Sequence, residues 1–395
     1  MKNFLMFFLF VCWLLFSVPV LAFFNMSSGV ASLSDGDDTA MNVFLKTDIE
    51  KDPWSLGFNV NIVFPEDKRP QNLDLLVLRH MEYDDGIWGI RLGTLERLTY
   101  GYGLIMNNYS TVFQGSSLMT NEQLGLRFYT KAFPVKVDAF AARNNIYGIR
   151  FTEDFWPDLI FGRPLILGQT FVCDPDGVEV NDNVVGKGQA AVGLDMSVPI
   201  IDNTWDVYTE YGMLLDSDPD IEPENVAGFA LGTQFLISEM LKFDFKYFGY
   251  EQGFVPGYFG AQYETAPYNL SSTENLNSDS RNGWSGTISF FLSELLAFDA
   301  TYQKFEGEDY ACLSGSGIIG TPGGIKCIAT YEQPRFYKLS DIDDNEATIK
   351  VDIQYPIGNN NSFIIHYKRV AISGDDIEEF TSVEYSYDIG NFNFF

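Results

Sequence analysis

The sequence predicts an all-β protein, a transmembrane antiparallel β-barrel of about 16 strands, with 14 to 18 admitted by the pattern. Three observations lead there. Apolar and polar residues alternate strictly along nearly the whole chain: Leu56, Phe58, Val60, Ile62 and Phe64 against Ser55, Gly57, Asn59 and Asn61, and Val383, Tyr385, Tyr387 and Ile389 against Glu384, Ser386 and Asp388. Almost every strand divides in this way, yet no long amphipathic helix is available to cover the apolar faces, so lipid is the natural cover. After residue 22 no apolar run approaches the roughly 20 residues that a membrane helix requires, so a membrane can be crossed only by a closed sheet.

From the N-terminus, Lys2, the apolar run from Phe4 to Val18 and Val20-Leu21-Ala22 predict a signal peptide over 1–22 that is cleaved after Ala22. The barrel domain then occupies 23–395, with no linker or break in composition. Alternation bounded by turn residues places strands near 41–50, 54–64, 73–83, 86–93, 98–106, 121–131, 134–142, 145–151 and 158–172. Further strands are expected near 187–198, 204–215, 226–237, 241–249, 283–292, 295–305, 347–356, 361–370 and 381–391. The 16% aromatic content, with 35 Phe and 21 Tyr, suits a lipid-facing surface with interfacial girdles.

The connections supply an independent check. Counted back from a last strand that ends on the periplasmic side, every second connection in a transmembrane barrel is a short turn. Gly358-Asn359-Asn360, Ser293-Glu294, Ser238-Glu239-Met240, Ile201-Asp202-Asn203 and Phe133-Pro134 all fall on that side. The connections around 173–186, 216–225, 250–282, 306–346 and 371–380 are long and fall on the other. A soluble meander gives no reason for this regularity.

Charge divides along the same lines. The formal net charge is -29, and the five long connections hold about 25 acids against about four bases. The inward strand positions are closer to balance: Arg91, Arg127, Lys131, Lys136, Lys242, Lys246, Lys350, His366 and Lys368 stand among Asp138, Asp195, Asp206, Glu210, Asp244, Asp299, Asp352, Glu384 and Asp388. A low-dielectric interior favours such balance because unpaired charge there is costly. These residues predict either a wet, charged pore or a salt-bridge network that fills the barrel. Asp216, Asp218, Asp220, Glu222 and Glu224 recur at every second residue, which puts five carboxylates on one side of an extended backbone. They offer an external site to hard divalent cations, against the plainer reading of solvated loop charge. No other cofactor is expected.

Cys312 and Cys327 bracket a Gly-rich stretch and are candidates for a disulfide, leaving Cys173 over. With only His80 and His366 in the chain, no zinc pattern is present. His80 with Glu82 on the same face resembles a general-base pair, but no nucleophile accompanies it, so no enzymatic activity is expected. The stretch Arg91 to Tyr109 carries Gly101 and Gly103 at alternate positions, with no GK[ST] to make a phosphate loop. Such glycines permit sharp bending, so 107–120 forms either an inward constriction or an ordinary external loop. The strongly acidic balance argues against nucleic acid as a partner.

Alternating strands, paired short and long connections and the terminal Phe395 resemble the outer-membrane β-barrel class of Gram-negative bacteria, porins included. Asn391 and Asn393 depart from that class by interrupting the apolar face just before Phe395. The resemblance implies the outer membrane of a diderm bacterium, with its lipid as partner. It also implies a channel for small hydrophilic solutes, with cation preference expected from the charge. The alternatives are a non-conducting surface or assembly protein that displays acidic loops, a membrane-embedded hydrolase, and a secreted soluble β-sandwich.

Overall fold

The structure is a computed structural model that describes residues 22–35, 38–65, 77–114, 120–131, 134–160, 162–176, 178–180, 183–185, 188–215, 225–238, 240–260, 263, 280–293, 295–338, 347–358, 361–373 and 376–394. The expected signal segment lies almost wholly outside them; only its last residue, Ala22, is described, as the first residue of a strand.

In chain order the strands are β1 (Ala22–Asp35), β2 (Asp38–Lys51), β3 (Trp54–Pro65), β4 (Val77–Asp84), β5 (Trp88–Gly93), β6 (Leu98–Tyr100), β7 (Met106–Tyr109), β8 (Val112–Gln114) and β9 (Thr120–Glu122). There follow β10 (Gly125–Thr130), β11 (Val135–Ala142), β12 (Tyr147–Ile160), β13 (Arg163–Asp174), β14 (Val178–Val180), β15 (Asn183–Val185), β16 (Gln189–Ile201), β17 (Trp205–Leu215), β18 (Asn225–Ile237) and β19 (Leu241–Tyr250). The last are β20 (Phe259–Gly260), β21 (Arg281–Ser293), β22 (Leu296–Phe305), β23 (Ala311–Gly320), β24 (Lys326–Phe336), β25 (Thr348–Pro356), β26 (Asn361–Ser373) and β27 (Asp376–Phe394).

Twenty of these form one antiparallel sheet, β1 to β5, β10 to β13, β16 to β19 and β21 to β27, each paired with the next in that order. Pairing of β1 with β27, from Ala22 opposite Phe394 to Ser32 opposite Val383, closes the sheet into a barrel and leaves no edge to fray. The all-β closed barrel of the sequence is therefore what forms, but with 20 strands and not about 16. Against the 18 segments assigned from the sequence, three differences lead to 20. Residues 22–35 make a strand ahead of the first one expected, and 306–346 holds the hairpin β23–β24 where a long loop was expected. Conversely, 98–106 is not a barrel strand at all.

The two-residue period fixes which way each side chain points. On β18, Phe229 and Leu231 are exposed on the outer wall, while Val226, Gly228, Ala230 and Gly232 are buried on the inner one. On β27, Val383, Tyr385 and Tyr387 point out, and Ser382 and Glu384 point in. Phe128, Phe151, Phe171, Leu194, Phe245, Trp284, Ile288, Phe363 and Ile365 continue the outer surface, each more than a third exposed. A sheet this greasy on its free face is the mark of a barrel solvated by hydrocarbon.

One end of the barrel carries only tight turns, at 52–53, 85–87, 131–134, 161–162, 202–204, 238–240, 294–295, 321–325 and 357–360. The other carries the long connections, at 66–76, 94–124, 175–188, 216–224, 251–280 and 337–347, together with short ones at 36–37, 143–146, 306–310 and 374–375. The tight turns expected at the first end are all there, because the two strands of the unexpected hairpin return the chain to the end it left; the long connection expected at 371–380 is corrected to a short one at 374–375, since β26 and β27 extend through most of that stretch. The buried apolar core sits inside the barrel, where Leu95, Leu98, Tyr100, Leu104, Ile105, Met106, Tyr109, Phe254, Val255, Tyr258, Phe259 and Tyr263 pack on inward residues of the wall.

Candidate functional site

The site is the lumen, and two of the long connections shape it. The β5–β10 connection turns inward as the hairpin β6–β7, and β7 pairs in parallel with β20 of the β19–β21 connection, Met106 opposite Phe259. Backbone bonds tie the two further, Gly257 N donating to the Leu104 carbonyl at 2.7 Å and Phe259 N to that of Ile105 at 3.1 Å. Of the two readings of this region, the structure supports infolding, though the infolded residues are 95–109 and precede the expected 107–120. Residues 115–119 lie outside the described part.

The bend between β6 and β7 needs its glycines. Gly101 and Gly103 have φ of 66° and 86°, in the left-handed region, and a Cβ on Gly101 would stand 2.4 Å from Glu210 Oε1. On the wall, Gly193 and Gly212 leave the seat for Ile105, whose side chain comes within 2.8 Å and 3.0 Å of where their Cβ atoms would be. Polar groups of the wall then hold the bend. Glu210, 3% exposed, accepts from Leu104 N at 3.1 Å, and Lys246 Nζ donates to the Tyr102 carbonyl at 3.0 Å. The Tyr102 ring stacks on Tyr208 with centroids 3.7 Å apart, and Tyr208 donates its hydroxyl to Asp244 at 2.8 Å. Nearer the long-connection end, Tyr100 and Tyr109 pack on Phe140, and Phe254 fills the space beside Gly228.

Four arginines on the same side of the barrel are each paired across strands: Arg79 with Asp48 at 2.9 Å, Arg91 with Glu82 at 3.2 Å, Arg127 with Asp138 at 2.6 Å and Arg150 with Asp195 at 2.6 Å. The Arg150 and Arg127 pairs are bidentate, which adds geometric definition to charge. On the wall of β25 to β27, His366 Nδ1 lies 2.7 Å from Asp352 and its Nε2 lies 3.5 Å from Glu384, so one imidazole joins three strands. Lys350 and Lys368 stand opposite each other in register on β25 and β26, and Asp299 accepts a hydrogen bond from Ser316. Lys131 lies 5.9 Å from the centre of the Tyr129 ring; Lys136, Lys242 and Asp206 lie toward the tight-turn end, opposite Thr152, Leu236 and Gln234 in register. The Asp388 side chain lies outside the described residues, as do Asp216, Asp218, Asp220, Glu222 and Glu224.

Sequence reasoning missed Asp48, Arg79, Glu82 as a partner of Arg91, and Arg150. Arg150 was within reach, because it alternates with Ile149 and Phe151 on an assigned strand. The expected disulfide is corrected. Cys327 stands opposite Ile319, seven positions along β23 from Cys312, or about 23 Å at the strand rise, whereas a disulfide needs Cα atoms within about 7 Å. Both residues lie on strands and not on a loop, which is the physical reason that bracketing a Gly-rich stretch misled.

No family model matches the chain, and no curated protein does. Among solved structures it is similar to OccK11 (OpdR) of Pseudomonas aeruginosa, at 10% identity over 95% of this chain and 96% of that one, TM-score 0.42. OprD of Pseudomonas aeruginosa has 9% identity over 95% and 96% of the two chains, TM-score 0.41. A BenF-like porin from Pseudomonas fluorescens Pf-5 has 8% identity over 95% and 98%, TM-score 0.40.

Proposed function

We propose that this chain is an outer-membrane channel of a diderm bacterium, passing small hydrophilic solutes through a lumen that the infolded segments narrow without filling. The observation that carries the reading is the division of one closed sheet into an apolar outer face and a charged inner one. Barrels of 16 to 18 strands already enclose an aqueous channel, and a ring of twenty is wider. Lipid is the partner on the outside, and small hydrophilic solutes are the partners within.

Cation preference belongs to the same proposal. Its support is the net charge of -29 and the acids of the long connections, which raise the local cation concentration over about a Debye length, near 10 Å at 0.1 M salt. Under a KCl gradient across a planar bilayer, the zero-current voltage of the purified protein is expected on the K⁺ side, moving toward zero as total salt rises. A zero-current voltage on the Cl⁻ side would keep the channel and discard the electrostatic account. Divalent cations at Asp216, Asp218, Asp220, Glu222 and Glu224 are a further part of the proposal, checked by calcium titration of that selectivity.

A second reading rests on the buried core that the infolded connections build inside the barrel. In it, the barrel anchors acidic loops for surface attachment or assembly and does not conduct. The same bilayer experiment separates the two.

A further inference from the structure

We propose that Thr99, Asn107 and Asn108 form an uncharged hydrogen-bonding face on the infolded hairpin, and that this face selects neutral polar solutes of the polyhydroxylated kind over charged ones of equal size. The inference rests on the channel reading and adds to it the class of solute that the passage takes.

The hairpin β6–β7 is two-sided. Leu98, Tyr100, Met106 and Tyr109 are buried, at 4%, 2%, 0% and 0% exposure, against the wall and β20. Thr99, Asn107 and Asn108, from the same two strands, are exposed. Asn108 has a φ of 55°, in the left-handed region that asparagine enters more readily than most non-glycine residues. Thr99 fixes the pair, its hydroxyl accepting from Asn108 N at 3.0 Å and lying 3.5 Å from Asn107 Oδ1. Asn107 lies deep enough to matter: it stands beside Gly103 and Gly257, at the level of the bend that Glu210 and Lys246 hold near the middle of β17 and β19.

The ring geometry says what this face looks across. The infolded segments pack on the wall from β10 to β19, touching Gly125, Phe140, Gly193, Gly212, Gly228 and Lys246. In a ring of twenty strands, β26 and β27 stand ten places from β13 and β16, so they face that packed wall. The remaining passage therefore runs between the polar face of the hairpin and the wall of β25 to β27. In that wall His366 is joined to Asp352 and Glu384, and Lys350 and Lys368 lie opposite each other in register beside them. On the packed side Arg127 and Arg150 are paired with Asp138 and Asp195. A charged solute therefore meets charge of both signs in the facing wall and loses hydration on entering, so a neutral one passes at the lower cost. The two amides offer both donors and acceptors, and solute hydroxyls satisfy both.

The test uses the full-length protein in liposomes, with xylitol and potassium glutamate, five-carbon probes of which only the first carries hydroxyls, together with conductance in planar bilayers. The combined variant Asn107→Leu with Asn108→Gly removes both amides while keeping side-chain bulk at one position and the left-handed backbone at the other. Its xylitol entry should fall about fivefold, the size of one lost hydrogen bond, with KCl conductance and glutamate entry retained. The near-isosteric Asn107→Asp variant decides the matter where the first does not fold, and should move the zero-current voltage toward that of K⁺. Equal loss of xylitol and glutamate, or no change of voltage in the Asp variant, would overturn the inference while leaving the channel. Native protein that passes neither ions nor xylitol would overturn the channel reading itself.

Discussion

At the scale of single residues, the lumen is organised by pairs, and the pairs differ in how much they hold. Arg150 and Asp195 are the most enclosed of the four arginine pairs, with side chains 15% and 5% exposed. Removing one partner leaves the other charged in a low-dielectric wall, at a cost of about 3 to 5 kcal/mol, whereas replacing both with apolar groups of similar volume is often neutral. Arg150→Ala is therefore expected to lower the temperature at which the barrel loses its folded, fast-migrating form on unboiled gels, and Arg150→Met with Asp195→Leu should restore most of it. Equal losses in the single and double variants would show that the pair acts through something other than its buried charge. A second residue-level expectation concerns the cysteines. Mass mapping of unreduced protein should find no peptide that links Cys312 to Cys327, and finding one would contradict the register of β23 and β24.

At the scale of elements, the infolded connections are the part that departs from a plain barrel. Their seat is defined by missing side chains: Ile105 occupies the space left by Gly193 and Gly212. Gly212→Leu fills that space, and is expected to free the segment over 95–109 for protease cleavage and to raise single-channel conductance. An unchanged cleavage pattern would mean that Ile105 does not anchor the bend. This element also shows where sequence reading stops. Leu98, Tyr100, Leu104 and Met106 alternate well enough to pass for a strand of the wall, and a lumen-facing hairpin and a lipid-facing strand both need one apolar side. Only the glycines at 101 and 103 distinguished them, by calling for a bend where a wall strand would run straight. The reverse error occurred over 311–336, where Gly315, Gly317 and Gly320, a Ser-rich inward face and Gly323-Gly324 hid two ordinary strands. Glycine weakens the period-two signal without preventing pairing, because the ladder is made by the backbone.

At the scale of the molecule, the closed sheet was legible because lipid on one side and water on the other impose the same alternation on every strand. Strand number was less legible, since each missed hairpin adds two strands and leaves every other relation intact. That invariance makes topology a strict test. The turn at 321–325 joins two strands at the tight-turn end, so a tag at Gly323 should be shielded in intact cells, and one placed within 264–279 should be reachable. Labelling of Gly323 from outside would invert the barrel. The lumen itself resisted sequence reading for another reason: whether twenty strands enclose water or a core depends on where long connections fold, and composition does not fix that.

The central claim is that an aqueous passage remains beside the infolded core. Single-channel recording of the purified protein in a planar bilayer addresses it most directly. The account predicts a steady conductance for the native protein that is larger for Gly212→Leu, in which the core has lost its seat. A barrel that inserts correctly, migrates as a folded species and conducts in neither form would contradict it, and would leave the protein as an anchor for its acidic loops.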